Sequence, residues 1–493
     1  MKKHILTLLL LSMFVSTYAA KSSLRAYLSH ASFCSPENGP FVETYLSILG
    51  KSVQFVKSSE GKFQGTIQVT MLFKQHDSIK EFRKYALHTA EIADTSNINF
   101  VVFDQQRIAL PSGKYKIELL LSDMNRDLPA FKAKDSLALD FAPKKIGISD
   151  IELVESAQAA SESSKIAKSG YDFIPYQDNF FPEGMKKISF YAEIYNTESI
   201  FPSGSPFLVT TSIQSVETGK TIGDFQRIKR ETAGQVNVVY NDFDISELPS
   251  GNFNLVISVR DKENKEVAMQ RLFFQRSNPS VQYNTQALQN VIIGNSFVSM
   301  ITSVDTLHEY IRMCGPIAGA NEKLFINSLP KHPDLLTMQQ FFLEFWTQRN
   351  KTAPMNEWIK YYNTVQVVNK EFGSIYKKGY ETDRGRVYLE YGAPNQRIQE
   401  TVNPDTFPYE IWQYYSVKDQ SNVKFVFYTR DRALNDYLLA HSTAIGEVKN
   451  VTWQAELNRR PGNPDPNKDL YNKADDDDVF GEHTGDYYNL KKQ

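Results

Sequence analysis

The chain has 493 residues, of which 41% are hydrophobic, 13% aromatic and 23% charged, values that exclude a wholly disordered or collagen-like protein. This length predicts three or four domains. Lysine and arginine (55) nearly balance aspartate and glutamate (57), so the net charge of -2 argues against a dedicated nucleic-acid binder. With only two cysteines, Cys34 and Cys314, the chain is neither a disulfide-dense scaffold nor a cysteine-rich zinc or iron–sulfur protein.

The N-terminus has the pattern of a secretory signal peptide over residues 1–19. Two lysines follow the first Met, residues 5–15 are apolar, and small residues, Thr17 and Ala19, precede the expected cleavage point. The apolar run is about half of the roughly 20 residues that a membrane span needs, and no other stretch is long enough, so no transmembrane span is expected. We therefore expect export to the periplasm, the outer membrane or the cell surface.

Residues 24–275 have the alternating pattern of β-strands, as in 63–73 and 187–195. Two segments repeat one another, LPSGKYKIELLLSD at 110–123 and LPSGNFNLVISVRD at 248–261, which predicts a duplicated β unit. The LPSG-aromatic element is either the tyrosine corner of an immunoglobulin-like sandwich or an ordinary hairpin turn. Both interpretations give all-β domains.

Between the two copies, residues 155–169 are small and polar, which is typical of a mobile surface loop or linker.

After residue 285 the hydrophobic period changes from 2 to 3.6. Met338, Phe341, Phe342, Phe345 and Trp346 follow helical spacing within 333–350, and aromatic residues do the same within 355–372. Shorter helices are predicted at 302–312 and 321–328. An aromatic stripe at this spacing is typical of a core rather than of a cofactor site.

Strand patterns return after residue 379. The predicted strands are 386–391, 409–415 and 423–428, with a turn at 392–395, and they should form an antiparallel meander packed on the helices. Residues 456–493 contain several prolines and the acidic run 475–478, and are expected to be disordered. We prefer a solvated acidic tail there to a calcium site, because the glycine of a calcium loop is missing.

Residues 379–388 (GYETDRGRVY) with 391–394 (YGAP) resemble the signature of the GWxTD-domain family of secreted bacterial proteins, found largely in Bacteroidetes. Tyr380 stands where the family name has tryptophan, and the similarity covers about residues 335–430. The resemblance implies an envelope location but no catalytic mechanism. The motif gives a set of candidate interaction residues, none assigned as catalytic: Gly379, Tyr380, Thr382, Asp383, Arg384, Gly385, Arg386, Tyr388, Gly392, Pro394 and Trp412.

The expected fold is therefore mainly β and multidomain. After the signal peptide come two tandem immunoglobulin-like β-sandwiches, a helical layer, a small antiparallel β meander and the disordered tail. The expected boundaries are 20–145 and 146–278 for the sandwiches, 285–372 for the helical segment, 373–455 for the GWxTD β module, with helices from about 335 belonging to it, and 456–493 for the tail.

Within the motif, Thr382 and Asp383 are suited to capping the N–H groups of a turn, and Gly385 to relieving the chain before a strand. Asp383 is expected to pair with Arg384 or Arg386, which would hold the turn against the sheet. The alternative is a carboxylate and guanidinium cluster that binds a peptide terminus or a glycan.

Signatures of familiar catalysis are missing from the sequence. None of the eight histidines has a metal-ligand spacing, and nucleophile-elbow and phosphate-loop motifs are absent, so no metal or cofactor is expected. Cys314 ends an apolar helix and is expected to be a buried small hydrophobe; whether it pairs with Cys34 is left open. The triplets at 77–79, 135–137 and 305–307 resemble O-glycosylation sequons of Bacteroidetes envelope proteins.

These observations favour a non-enzymatic envelope protein that docks other envelope or outer-membrane proteins, in secretion or surface assembly. The rival hypothesis is an envelope hydrolase of glycan or peptide that uses Asp383, Glu390 or Glu410. A third hypothesis is carbohydrate binding by one sandwich. The sequence leaves the oligomeric state open.

Overall fold

The computed structural model describes residues 24–458 except 77, 143–144, 162–163, 165, 330–333, 404–405, 419 and 451. The predicted signal peptide and residues 459–493 of the predicted tail lie outside the described residues. The described chain is mainly β: two β-sandwiches are followed by helices that pack on an antiparallel sheet. No helix in the described ranges combines the length and the apolar character required to cross a membrane.

The first sandwich is built from β1 (Ala26–Ser35), β2 (Gly39–Leu49), β3 (Val56–Lys57), β4 (Phe63–Gln64), β5 (Thr66–Gln75), β6 (Ser78–His88), β7 (Val101–Ala109), β8 (Gly113–Asp123) and β9 (Phe131–Leu139). A sheet of order β1-β2-β7 faces a sheet of order β6-β5-β8-β9. The predicted alternation is seen in β5, where Ile67, Val69, Met71 and Phe73 are all fully buried in the core. Period-2 burial of this kind is what one face of an antiparallel sheet requires.

The second sandwich is built from β10 (Gly147–Ile148), β11 (Glu152–Ala159), β12 (Tyr171–Pro175), β13 (Phe180–Phe181), β14 (Lys187–Tyr195), β15 (Pro206–Ser215), β16 (Thr221–Thr232), β17 (Val236–Asp244), β18 (Gly251–Arg260) and β19 (Glu266–Arg276). One sheet has the order β10-β14-β11-β12 with β17 also paired to β14, and the other has the order β13-β19-β18-β15-β16.

The sequence repeat corresponds to equivalent strands. β8 and β18 both begin at the glycine of LPSG and both lie between two neighbours of their sheet. In the first copy the Tyr115 hydroxyl donates to the carbonyl oxygen of Pro111 at 2.8 Å, which is the tyrosine-corner geometry. In the second copy Phe253 fills the same buried position without a hydroxyl. The corner interpretation is therefore confirmed for the first copy.

The linker prediction for 155–169 is wrong in two respects. Residues 155–159 continue strand β11, and the Lys168 side chain is buried between the two sandwiches. Its ammonium group lies 2.6 Å from Glu43 of β2 and 2.5 Å from Glu152 of β11. Arg107 also binds Glu43 at 2.6 Å. The two positive charges of Lys168 and Arg107 thus compensate the two carboxylates, which permits these charged side chains to be buried between the sandwiches.

The C-terminal helices are α1 (Val304–Met313), α2 (Ala320–Ser328), α3 (Leu335–Arg349) and α4 (Pro354–Phe372), close to the predicted ranges. Asp334 caps α3 by accepting a hydrogen bond from the N–H of Thr337 at 2.8 Å. The predicted aromatic stripe of α3 is buried, and Trp346 packs on Trp358 with ring centroids 5.5 Å apart.

The predicted antiparallel meander is present, but the prediction of its first strand is wrong. Residues 386–391 belong to a helix, α5 (Asp383–Tyr391), and the sheet has the order β20 (Gln396–Glu400), β21 (Tyr409–Val417), β22 (Gln420–Tyr428) and β23 (Leu438–Ser442), followed by α6 (Trp453–Leu457). The segment is too short for its period to decide between strand and helix. The cap decides, because Thr382 is a helix N-cap.

Candidate functional site

The motif begins with a single 3₁₀ turn, Gly379–Glu381, which leads directly into α5. The Thr382 hydroxyl accepts a hydrogen bond from the N–H of Gly385 at 3.1 Å and donates one to the carbonyl oxygen of Gly379 at 2.8 Å. Thr382 therefore caps as predicted, but it caps a helix rather than a turn before a strand.

Two motif glycines permit close backbone contact. A Cβ on Gly379 would lie 2.1 Å from the carbonyl oxygen of Val368 in α4, and a Cβ on Gly385 would lie 1.8 Å from the carbonyl oxygen of Gly379. Gly385 thus has a different role from the predicted one, since it lets α5 pack directly on the 3₁₀ turn.

Tyr380 fixes the turn to the helical core. Its N–H donates to Asn369 Oδ1 at 3.2 Å and its hydroxyl donates to Glu309 of α1 at 3.1 Å. Burial raises the pKa of the Tyr380 hydroxyl, and the charges of Glu309 and Glu381 raise it further. The hydroxyl therefore stays protonated at neutral pH and serves as a donor.

Arg384 and Glu410 form a buried pair beneath the motif. Arg384 Nη1 donates to Glu410 Oε1 at 2.7 Å, and Arg384 Nη2 donates to the Asn435 side chain at 2.6 Å. Glu410 also accepts from Arg397 at 3.0 Å and from the Trp412 indole at 2.9 Å. Burial alone would raise the pKa of Glu410, but the hydrogen bond from Arg397 and the charges of Arg384 and Arg397 outweigh it and hold the pKa below its ordinary value.

Arg386 and Asp383 do not pair with each other as predicted. Arg386 binds both carboxylate oxygens of Glu447, at 2.7 and 2.8 Å, and contacts Glu390 at 3.3 Å. Asp383 instead accepts a hydrogen bond from the backbone N–H of Leu439 in β23 at 2.7 Å. The motif carboxylate therefore joins α5 to the sheet through the backbone.

The other predicted residues support this arrangement. Trp412 is fully buried and packs on Phe372, Tyr388 contacts the same ring, and the Gly392 carbonyl accepts a hydrogen bond from Tyr414 at 2.9 Å. Gly392 has a positive φ of 83° at the end of α5, which favours glycine. Pro394 is half-buried in the connection to β20.

A cleft of about 620 Å³ opens beside the motif. Among the predicted residues it brings together Tyr380, Thr382, Asp383, Arg386 and Glu390, whereas Glu410 is not part of its lining. The cleft wall also contains residues from α1 and α2 and the connection between them that sequence reasoning missed: His308, Arg312, Gly315, Pro316, Lys323, Ile326 and Asn327. Arg312 pairs with Glu381 of the motif at 2.5 Å, and no sequence signal links residues so far apart.

The cleft mixes charges of both signs, and its charged groups are largely paired. Lys323 lies 3.6 Å from Glu217 of the second sandwich, and Lys418 lies 3.0 Å from Glu390. Across the described ranges, no group of three or more His, Cys, Asp or Glu side chains is arranged to hold a metal ion. The two cysteines, both described, are free thiols, so the disulfide left open by the sequence is not formed.

Comparison with family models gives a match to the GWxTD domain over residues 304–455. The chain contains a GWxTD domain. This domain starts earlier in the chain than the predicted module and includes α1 and α2. Both walls of the cleft therefore lie inside the GWxTD domain. A search of curated proteins gives no match.

Solved structures with some similarity include fibronectin(III)-like modules of CbhA from Clostridium thermocellum, 9% identical over 50% of this chain and 89% of that chain, with a TM-score of 0.14. A Salmonella alpha-2-macroglobulin mutant is 10% identical over 51% of this chain, with a TM-score of 0.16. This chain spans only 16% of the length of that macroglobulin.

Proposed function

We propose that the protein is an exported, non-enzymatic scaffold of the cell envelope, of Bacteroidetes type, that docks another envelope or outer-membrane protein through the cleft of its GWxTD domain, in secretion or surface assembly. The observation that carries the proposal is the cleft itself, because motif residues form one of its walls and α1 and α2 form the other. The signal-peptide pattern supports export.

The carboxylates of the motif favour binding over catalysis. Asp383 accepts a backbone hydrogen bond from Leu439, and Glu390 binds both Lys418 and Arg386. A general acid or base needs a proton-transfer position facing the substrate, whereas these groups are committed to holding α5. Mixed, partly exposed charges around an open cleft are typical of the polar rim of a protein interface.

A hydrolase of glycan or peptide remains a second candidate function, because Asp383 and Glu390 line the same cleft. Asp383→Asn keeps an acceptor for the Leu439 N–H, so it should preserve the fold. If the protein hydrolyses an envelope glycan or peptide and the folded Asp383→Asn variant does not, the catalytic function is correct and the docking proposal is wrong.

The docking proposal is tested by site-specific photo-cross-linking of the full chain in its native envelope. Asn327 is exposed in the cleft wall and accepts a photoreactive residue without loss of a core contact. Lys262, exposed in the hairpin between β18 and β19, is the matched control. We expect one reproducible protein adduct at 327 and none at 262; no adduct, or the same adducts at both positions, would refute docking through the cleft.

O-glycosylation stays a prediction that the same preparation can test. Ser78 in β6, Ser136 in β9 and Thr306 in α1 are exposed, so all three hydroxyl groups are sterically available. Peptide mass spectrometry of the exported protein would show the modification or its absence.

A further inference from the structure

The turn between α4 and the motif presents two apolar side chains to solvent. Ile375 is 80% exposed and Tyr376 is 77% exposed, far more than the other large side chains around the motif. Their turn, residues 374–377, follows α4 directly and precedes Gly379. We call Ile375 and Tyr376 the knob.

The turn that carries the knob is held in place rather than loose. The Ser374 hydroxyl accepts hydrogen bonds from the N–H groups of Tyr376 at 3.2 Å and Lys377 at 3.0 Å. At its base, Gly373 is in close contact with α4, where a Cβ would lie 2.4 Å from the carbonyl oxygen of Asn369. The Gly373 carbonyl also accepts from the Asn435 side chain at 3.0 Å. A rigid turn loses little conformational entropy when the knob is bound.

Charges next to the knob are neutralised within the domain. Lys377 pairs with Asp436 at 2.8 Å, and Lys378 pairs with Glu309 at 2.5 Å. Glu309 also accepts a hydrogen bond from the hydroxyl of Tyr380, which lines the cleft, so one carboxylate of α1 contacts both the residue after the knob turn and a residue of the cleft wall. Two protruding apolar side chains surrounded by paired charges resemble a binding hot spot with its polar surround.

We propose that the knob inserts into an uncharged apolar socket on the protein that occupies the cleft. This inference rests on the proposed docking function and deepens it by naming the partner's chemistry. A protein socket fits better than a membrane, because membrane attachment needs a larger apolar face and free cations, and both adjacent lysines are already paired. Since the paired charges leave little net field, binding should depend only weakly on salt.

The test starts with a photoreactive residue at position 375 in the full chain, in its native envelope, with position 292 as control. Ile292 is 87% exposed and lies before α1. A protein adduct specific to position 375 is expected. Lipid adducts alone, or no specific adduct, would overturn the inference.

The captured protein is then purified and titrated against the full chain. Tyr376→Ser should weaken binding at least about 30-fold, as loss of a hot-spot aromatic does, whereas Ile292→Ser should leave the affinity unchanged. Raising the salt from about 0.05 to about 0.5 M should change the affinity less than about threefold. Unchanged affinity of the Tyr376→Ser variant, or a steep loss of binding with salt, would overturn the socket.

The two proposals can fail separately. Suppose that position 327 gives an adduct and that the captured partner binds the Tyr376→Ser variant as tightly as the wild type. The proposed role of the knob would then be wrong, and docking through the cleft would stand. An adduct at 375 with the expected loss of affinity, but none at 327, would support the knob as a binding site, refute docking through the cleft and overturn the placement of the socket on a protein bound in the cleft.

Discussion

Arg384 of α5 donates to Glu410 of β21 at 2.7 Å, and both side chains are 2% exposed, so this ion pair joins the motif helix to the sheet in the interior of the GWxTD domain. Glu410→Gln would leave the Arg384 charge buried with weaker compensation. Removing one partner of a buried pair typically costs about 3–5 kcal/mol. We expect a loss of that order in the free energy of unfolding of the GWxTD domain.

Tryptophan fluorescence can follow this unfolding separately from the sandwiches, because all four tryptophans lie between residues 346 and 453. The matched control is Lys62→Ala in the first sandwich, where Lys62 and Glu91 form an exposed pair 2.9 Å apart. Exposed pairs contribute about 0–1 kcal/mol to the free energy of unfolding. The control should therefore leave the urea midpoints of the GWxTD domain and of the sandwiches nearly unchanged. Equal urea midpoints for Glu410→Gln and the wild type would contradict the structural role of the pair.

Gly385→Ala should destabilise the GWxTD domain through backbone crowding. Its Cβ would lie 1.8 Å from the carbonyl oxygen of Gly379, and a backbone atom cannot move aside as a side chain can. Overpacking of this kind costs about 1–3 kcal/mol, with the upper end expected here. The control is Gly315→Ala, whose Cβ would meet no atom within 4 Å. The urea midpoint of tryptophan fluorescence measures both, and a tolerated Gly385→Ala would mean that the turn and α5 are not closely packed.

The sequence was informative wherever a period extended over enough residues. The alternation of β5 and the aromatic stripe of α3 both predicted their elements, because each pattern covers several turns or pleats. It failed at 386–391, where the local cap from Thr382 outweighs a short alternation. Lys168 was also missed, since a lysine in a polar stretch indicates a loop until its two glutamate partners are known. Of the cleft, only the motif wall could be predicted, because Arg312 and Lys323 are brought there by tertiary packing.

Glu43 and Glu152 bind the same ammonium group of Lys168, but folding shifts their pKa values in opposite directions. Burial would raise the pKa of Glu43, yet Lys168 and Arg107 lower it below its ordinary value. Burial raises the pKa of Glu152, with the charge of Glu43 adding to the rise and Lys168 opposing it. The ionised form of Glu43 therefore stabilises the folded state, whereas that of Glu152 is disfavoured by folding.

Glu43→Gln should consequently cost more stability at pH 7 than Glu152→Gln, by at least about 1 kcal/mol. The contribution of Glu43 is present above the ordinary pKa of glutamate and is lost as the pH falls through its lowered folded pKa. The contribution of Glu152 has the opposite pH dependence: it is present at low pH and is lost as the pH rises through its raised folded pKa. Urea unfolding followed by far-ultraviolet circular dichroism between about pH 2 and 8 measures both. Equal costs at pH 7 would show that the two carboxylates share the charge equally.

The two thiols should differ sharply in reactivity. Cys314 is fully buried at the end of α1, and burial raises the pKa of its thiol well above the ordinary value, which disfavours the reactive thiolate. Cys34 in β1 is partly exposed, and burial with the nearby charge of Glu193 raises the pKa of its thiol. Alkylation of the folded protein should therefore label Cys34 slowly, faster as the pH rises, and leave Cys314 unlabelled.

The measurement is a mass-spectrometric count of alkylated thiols, before and after unfolding in urea. We expect one label on the folded wild type, none on folded Cys34→Ser, and both thiols labelled after unfolding, since the sequence contains two cysteines. Labelling of folded Cys34→Ser would mean that the end of α1 opens readily. A linked Cys34–Cys314 peptide in a non-reducing digest would show that the first sandwich and the GWxTD domain approach each other in a way that contradicts the free thiols of the structure.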